Sequence, residues 1–262
     1  MDWLRQYLDR VGHVVLENPV WLVGYTGRLV ASLRFTVAGA LSAHGFWHLT
    51  HALVGQTVKT FFRGVFLVVA LGAASAIGMA WVSARLGGLA RGAFDQLVVP
   101  LLVSDVLPLG LAVVLVARTG ATIAVGFAIR PLEQGTPVQF DPRALQREVV
   151  PHLFASVVTA GLFYAVAVWL LLAGYHATGF HDAFRADLSA YFSPSAAWAP
   201  FWSGARMAVL FGAVVAWVSS GLGIQVAERH HRVTAPAYPT HYVVWETVLL
   251  VTMTCTLLTL LL

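Results

Sequence analysis

Residues 97–129 read LVVPLLVSDVLPLGLAVVLVARTGATIAVGFAI, an apolar, β-branched run that carries Asp105 and Arg118 in its interior. About 20 helical residues cross the roughly 30 Å hydrocarbon core of a bilayer. This run is longer, so it spans with a tilt or with an end that protrudes. An ionisable side chain at bilayer depth is costly and faces a protein interior or a wet cavity. Pro100 and Pro108 predict bends, because proline lacks a backbone donor and its ring clashes with the preceding turn. From Arg130 the chain turns polar, with Glu133, Gln134, Asp141, Pro142 and Arg143 before Pro151.

Four further stretches have the same character. Residues 64–84, 149–175 and 207–227 carry no Asp, Glu, Lys or Arg except at their flanks, and residues 243–262 carry only Glu246. The small residues Gly64, Gly72 and Gly78 in the first of these would permit close helix packing. The whole chain of 262 residues is 58% apolar and 11% charged, where a soluble domain carries about 25% charged residues. The expected fold class is an all-α integral membrane protein. N-terminal interfacial amphipathic helices precede five transmembrane helices, over about 64–84, 97–129, 149–175, 207–227 and 243–262. Residues 1–58 form the interfacial region, in which Arg5, Arg10, Arg28 and Arg34 alternate with apolar side chains. Residues 59–262 form the five-span domain, with a cytoplasmic loop at 130–148.

Lys and Arg accumulate in cytoplasmic loops. With the N-terminus inside, the cytoplasmic set is Arg5, Arg10, Arg28, Arg34, Lys59, Arg63, Arg130, Arg143, Arg147, Arg229 and Arg232. The outer set is only Arg85, Arg91, Arg185 and Arg206. The expected orientation is N-in, C-out.

Several function classes drop out. A net charge of +4 without a basic run gives no grip on nucleic acid. No Gly-x-x-x-x-Gly-Lys-Ser/Thr loop is present to cradle nucleotide phosphates. Cys255 is the single cysteine, so no intrachain disulfide forms. The N-terminus, MDWLRQYLDR, lacks the pattern of a cleaved signal peptide.

Gly78-Met79, Asp105-Val-Leu-Pro108, Ala117-Arg118-Thr-Gly120-Ala121, Glu133-Gln134, Asp141-Pro142, Pro151 and Trp217-Val-Ser-Ser-Gly221 occur in that order. In order and spacing the chain resembles the MlaE/YrbE-type permeases, from about residue 27 to the end. These are the membrane subunits of bacterial ABC systems that move lipid with MCE-domain proteins. The resemblance implies a multi-pass protein of the bacterial inner (cytoplasmic) membrane. Its expected partners are an ABC ATPase subunit, an MCE-domain substrate-binding protein and a second permease subunit. The expected cargo is phospholipid or a similar amphiphile. It implies no catalysis and no cofactor in this chain, ATP and Mg belonging to the ATPase. It places Asp105, Pro108, Met79, Arg118, Arg206 and Glu246 along a lipid cavity lined mainly by the first, second and fifth spans. It assigns Glu133, Gln134, Asp141, Pro142 and Arg143 to ATPase coupling.

The departures are specific. Where the family carries an Ala-Glu-x-Gly acid, this chain reads Ala124-Val125-Gly126. Gly135-Thr-Pro137 interrupts the expected coupling helix, and the interval from Glu-Gln to Asp-Pro is short. A diverged subunit paired with a more typical permease in a heterodimer fits these differences.

Each site residue has a plainer reading beside the functional one. Asp105 is either a polar lining residue or a buried acid bonded to a neighbouring helix. Arg118 is either a headgroup contact or a tether on backbone carbonyls. Arg206 either pairs with an acid or snorkels to the interface. Glu246, about a turn into the fifth span, reaches either the cavity or cytoplasmic water. The polar loop suits a partner or plain solvation equally.

The histidines motivate a different class. His44, His48 and His51 share a helical face, and His230, His231 and His241 lie on the same expected side of the membrane. Neutral imidazoles bind iron, so the alternative function is a histidine-ligated di-iron membrane enzyme, desaturase- or hydroxylase-like. The paired His-x-x-His-His boxes of such enzymes are absent from the sequence.

Overall fold

Apolar runs of this length must satisfy their backbone hydrogen bonds internally, because lipid offers none. The computed structural model meets that condition with helices alone among the described residues, which are 20–34, 36, 43–85, 98, 100–134, 142–177, 198–232 and 240–261. Among the described residues five helices are long and apolar enough to cross a membrane: Thr50–Val82, Leu102–Ile129, Ala144–Gly174, Ala199–Glu228 and Val243–Leu261. The protein is an all-α, multi-pass membrane protein.

Two expected boundaries shift. The helix that carries the first span is continuous over Ala43–Arg85, so residues 43–58 belong to the same helix as the span, which begins at Thr50. Lys59 and Arg63 do not end the helix, because backbone hydrogen bonding is indifferent to long side chains that reach outward. The stretch read as a loop at 130–148 is mostly helical. One helix runs Ala121–Gln134 and the next Pro142–Ala177, which leaves only residues 135–141 between them, outside the described set. Pro142 suits a first turn, where a missing N–H costs nothing.

The second span is interrupted twice. Leu102–Val106 and Val116–Gly120 are π-helical turns, flanked by α-helix over Leu107–Leu115 and Ala121–Gln134. The Leu107 N–H donates to the Leu102 carbonyl and the Ala121 N–H to the Val116 carbonyl, five residues back in each case. Pro108 gives the first turn a cause. It has no N–H for the Ser104 carbonyl, and the wider turn takes up the clash of its ring.

The fourth span is the packing centre. Of its most apolar window 78% is buried, against 28% for the first and fifth spans. It touches the second, third and fifth spans. Small residues allow this. A Cβ on Gly212 would lie 2.6 Å from the Ser156 carbonyl oxygen and 2.7 Å from the Ala160 Cβ, so the third and fourth helices meet backbone to backbone there. The first span packs on the third through Gly64, which abuts the Phe163 ring, and Gly72, which abuts Ala167 and Leu170. Gly78 meets nothing within 4 Å. The first span also presents Phe62, Phe66, Ile77 and Trp81 outward, as a lipid-facing helix does.

Candidate functional site

The two ionisable groups inside the second span each occupy a π-helical turn, Asp105 the first and Arg118 the second. Such turns are rare and concentrate at functional sites. Asp105 is half-buried and accepts a hydrogen bond from the hydroxyl of its neighbour Ser104. Among the described residues its hydrogen-bond partner comes from its own turn. Arg118 is exposed, and its backbone carbonyl accepts from the Thr122 hydroxyl at 2.9 Å. Among the described residues its guanidinium makes no ion pair and no hydrogen bond to a carbonyl, so the tether reading finds no partner. Behind it, Thr119 and Gly120 are buried, and a Cβ on Gly120 would lie 2.6 Å from the Ser219 Oγ. The second turn is thus pressed onto the fourth span with Arg118 turned away.

The remaining cavity residues are spread along the bundle. Met79 and Pro108 are buried, and Glu246 is half-buried. Arg206 is exposed beside Trp202, Ser203 and Ala199 around an open cavity of about 400 Å³, with no ion pair among the described residues. No ion pair joins Asp105 to Arg206. Asp141 lies outside the described residues, as do the side chains of Glu133, Gln134, Pro142 and Arg143. His51 is exposed, while the side chains of His44, His48, His230, His231 and His241 lie outside the described set. Among the described residues no three or more His, Cys, Asp or Glu side chains come together.

The sequence predicts amphipathic helix in the N-terminal region, but not that it docks on the fourth span. Residues 20–34 are helical, and Leu22, Tyr25, Leu29 and Ser32 form its buried stripe. The Tyr25 hydroxyl lies 2.9 Å from the Ser220 Oγ, and the Trp217 indole donates to the Thr26 Oγ1 at 3.1 Å. Arg28 donates to the Glu228 Oε1 at 2.9 Å, and its guanidinium lies 5.3 Å from the Trp21 ring centroid. Gly221 opens the place where Leu22 and Tyr25 sit, since a Cβ there would meet Leu22 Cδ2 at 2.6 Å. The Trp217-Val-Ser-Ser-Gly221 stretch is therefore the surface on which this helix rests. The apolar stripe was the available signal. Its partners lie nearly 200 positions away in sequence, beyond any local pattern.

A second cluster forms where the first, second and third helices share an end of the bundle. Gln56, Lys59 and Arg63 face Thr122, Ile123, Gly126 and Phe127, with Glu148 and His152 opposite, around a cavity of about 330 Å³. The Gln56 Nε2 and the His152 Nδ1 are 2.8 Å apart, and the His152 ring packs edge-on to Phe127 at 6.0 Å.

No protein-family model matches this chain, and no curated protein matches it.

Proposed function

We propose that the chain is a permease subunit of an ATP-driven lipid transporter of the MlaE/YrbE type. It moves phospholipid or a similar amphiphile to or from an MCE-type partner, as one of two permease subunits. The observation that carries this reading is the pair of π-helical turns that hold Asp105 and Arg118 in one spanning helix, with Arg118 exposed and, among the described residues, without an ion pair. A guanidinium at that depth costs about 3 kcal/mol even on permissive insertion scales. It is retained where it meets a second subunit, a headgroup or a wet cavity. The motif order in the sequence supports the same reading.

ATP binding to a cytoplasmic motor would move the spans through the segment at 130–148 and change the shape of the cavity. The test is reconstitution of the chain with an ATPase and an MCE protein in liposomes, reading transfer of labelled phospholipid. ATP-dependent transfer that falls in Arg118→Leu supports the reading. A chain that purifies alone, free of lipid and indifferent to nucleotide, overturns it.

A further inference from the structure

Two cations, one carboxylate and a neutral amide meet at one end of the bundle, in a cavity that the lipid-transport reading does not use. Gln56, Lys59 and Arg63 recur at helical spacing on one face of the first helix. Like charges four residues apart on a helix repel. Both side chains are exposed, and among the described residues neither makes an ion pair. They line the cavity, where among the described residues Glu148 is the one carboxylate. With two cations against one carboxylate, the lining carries an excess positive charge at any pH where all three are ionised. The volume of about 330 Å³ lies at the small-molecule end of ligand sites. Ile123 and Phe127 contribute the apolar side chains of the lining.

The geometry points to a phosphate-binding site, in which Lys59 and Arg63 hold the oxyanion of a phosphate group from a lipid headgroup or from solution. Arg presents a planar fork that matches phosphate oxygens, and Lys adds a point charge beside it. The Gln56–His152 hydrogen bond ties the first helix to the third and fixes the wall next to the cations. Gly126 leaves the facing wall open, since a Cβ there would meet nothing within 4 Å. Both residues lie within the first spanning helix, and their long side chains can run along apolar helix to bring the charged heads to polar surroundings. The distribution of Lys and Arg puts this end on the cytoplasmic side.

The site is independent of the transport reading, because binding is read without ATPase or MCE protein. The experiment is native mass spectrometry of the full chain in detergent with dioctanoyl phosphatidic acid, and with dioctanoylglycerol as the same lipid without phosphate. A one-to-one phosphatidic acid adduct with no dioctanoylglycerol adduct is expected. The double substitution Lys59→Gln/Arg63→Gln should weaken it at least about tenfold, as loss of two charge-assisted contacts requires. Gly126→Asp adds a carboxylate where space exists and should weaken it as well. It stands as the test on its own if the double variant fails to fold. Displacement of the lipid by inorganic phosphate would identify phosphate alone as sufficient. Resistance to it would assign the site to the headgroup. Equal retention of the two lipids, or unchanged phosphatidic acid binding in folded variants, overturns the site.

Discussion

Arg28 on the N-terminal helix and Glu228 at the end of the fourth span form an ion pair of 2.9 Å across 200 residues of sequence. The pair closes the far end of a seam that begins at Trp217 and Thr26 and passes through Tyr25 and Ser220. An amphipathic segment that would otherwise float in the interface is thereby fixed to the most buried helix of the bundle.

Both partners of that pair are about a third exposed, at 36% and 33%, so solvent screens their attraction. A double-mutant cycle with Arg28→Ala and Glu228→Gln should yield a coupling of only about 0.5–1 kcal/mol, decreasing with salt. Thermal unfolding in detergent measures it. A coupling of zero at low salt would show that the helix is held by Tyr25, Thr26 and the apolar stripe alone.

Burial pushes the Tyr25 hydroxyl up from 10.0 to about 12, against smaller opposing effects of the Ser220 hydrogen bond and the Arg28 charge. Below pH 10 both the docked and undocked forms hold the proton, so the full stability is present. Between those two values the undocked form ionises first, and stability falls as pH rises through the docked value. The unfolding midpoint of the wild type should therefore drop more steeply than that of Tyr25→Phe over this window. Parallel curves would place the hydroxyl in water.

Gly212 and Gly78 predict opposite outcomes for similar substitutions. Gly212→Val forces a branched side chain against the Ser156 carbonyl and Ala160, and should destabilise by about 1–3 kcal/mol. Gly78→Ala meets nothing within 4 Å and should leave stability unchanged or slightly raised. Thermal unfolding of the two variants side by side decides whether the third and fourth helices do meet backbone to backbone.

Pro108→Ala restores an N–H that can reach the Ser104 carbonyl and so lets the first π-helical turn close to α-helix. Losing one residue of slack rotates the upstream helix by about 100°. The thiol introduced by Asp105→Cys should then change its maleimide reactivity several-fold when Pro108→Ala is added, with native Cys255 buried and slow in both proteins. Identical reactivity would mean that packing, not the proline, holds the turn.

Hydrophobic run length alone determined that the described residues hold five helices long and apolar enough to cross a membrane, because a bilayer imposes a fixed thickness and forbids unpaired backbone. It also singled out Asp105 and Arg118, since a charge in an apolar run is conspicuous in one dimension. The tertiary structure decided what those charges face and which helix is central. The run that begins at residue 97 dominates the sequence, yet the fourth span holds the core, because its small residues admit neighbours on several sides. The seam from Arg28 to Glu228 and the cluster of Lys59, Arg63, Glu148 and His152 depend on which helices lie side by side. Helix packing is set by shape complementarity between surfaces far apart in the chain, and a linear pattern of apolar residues contains no record of that pairing.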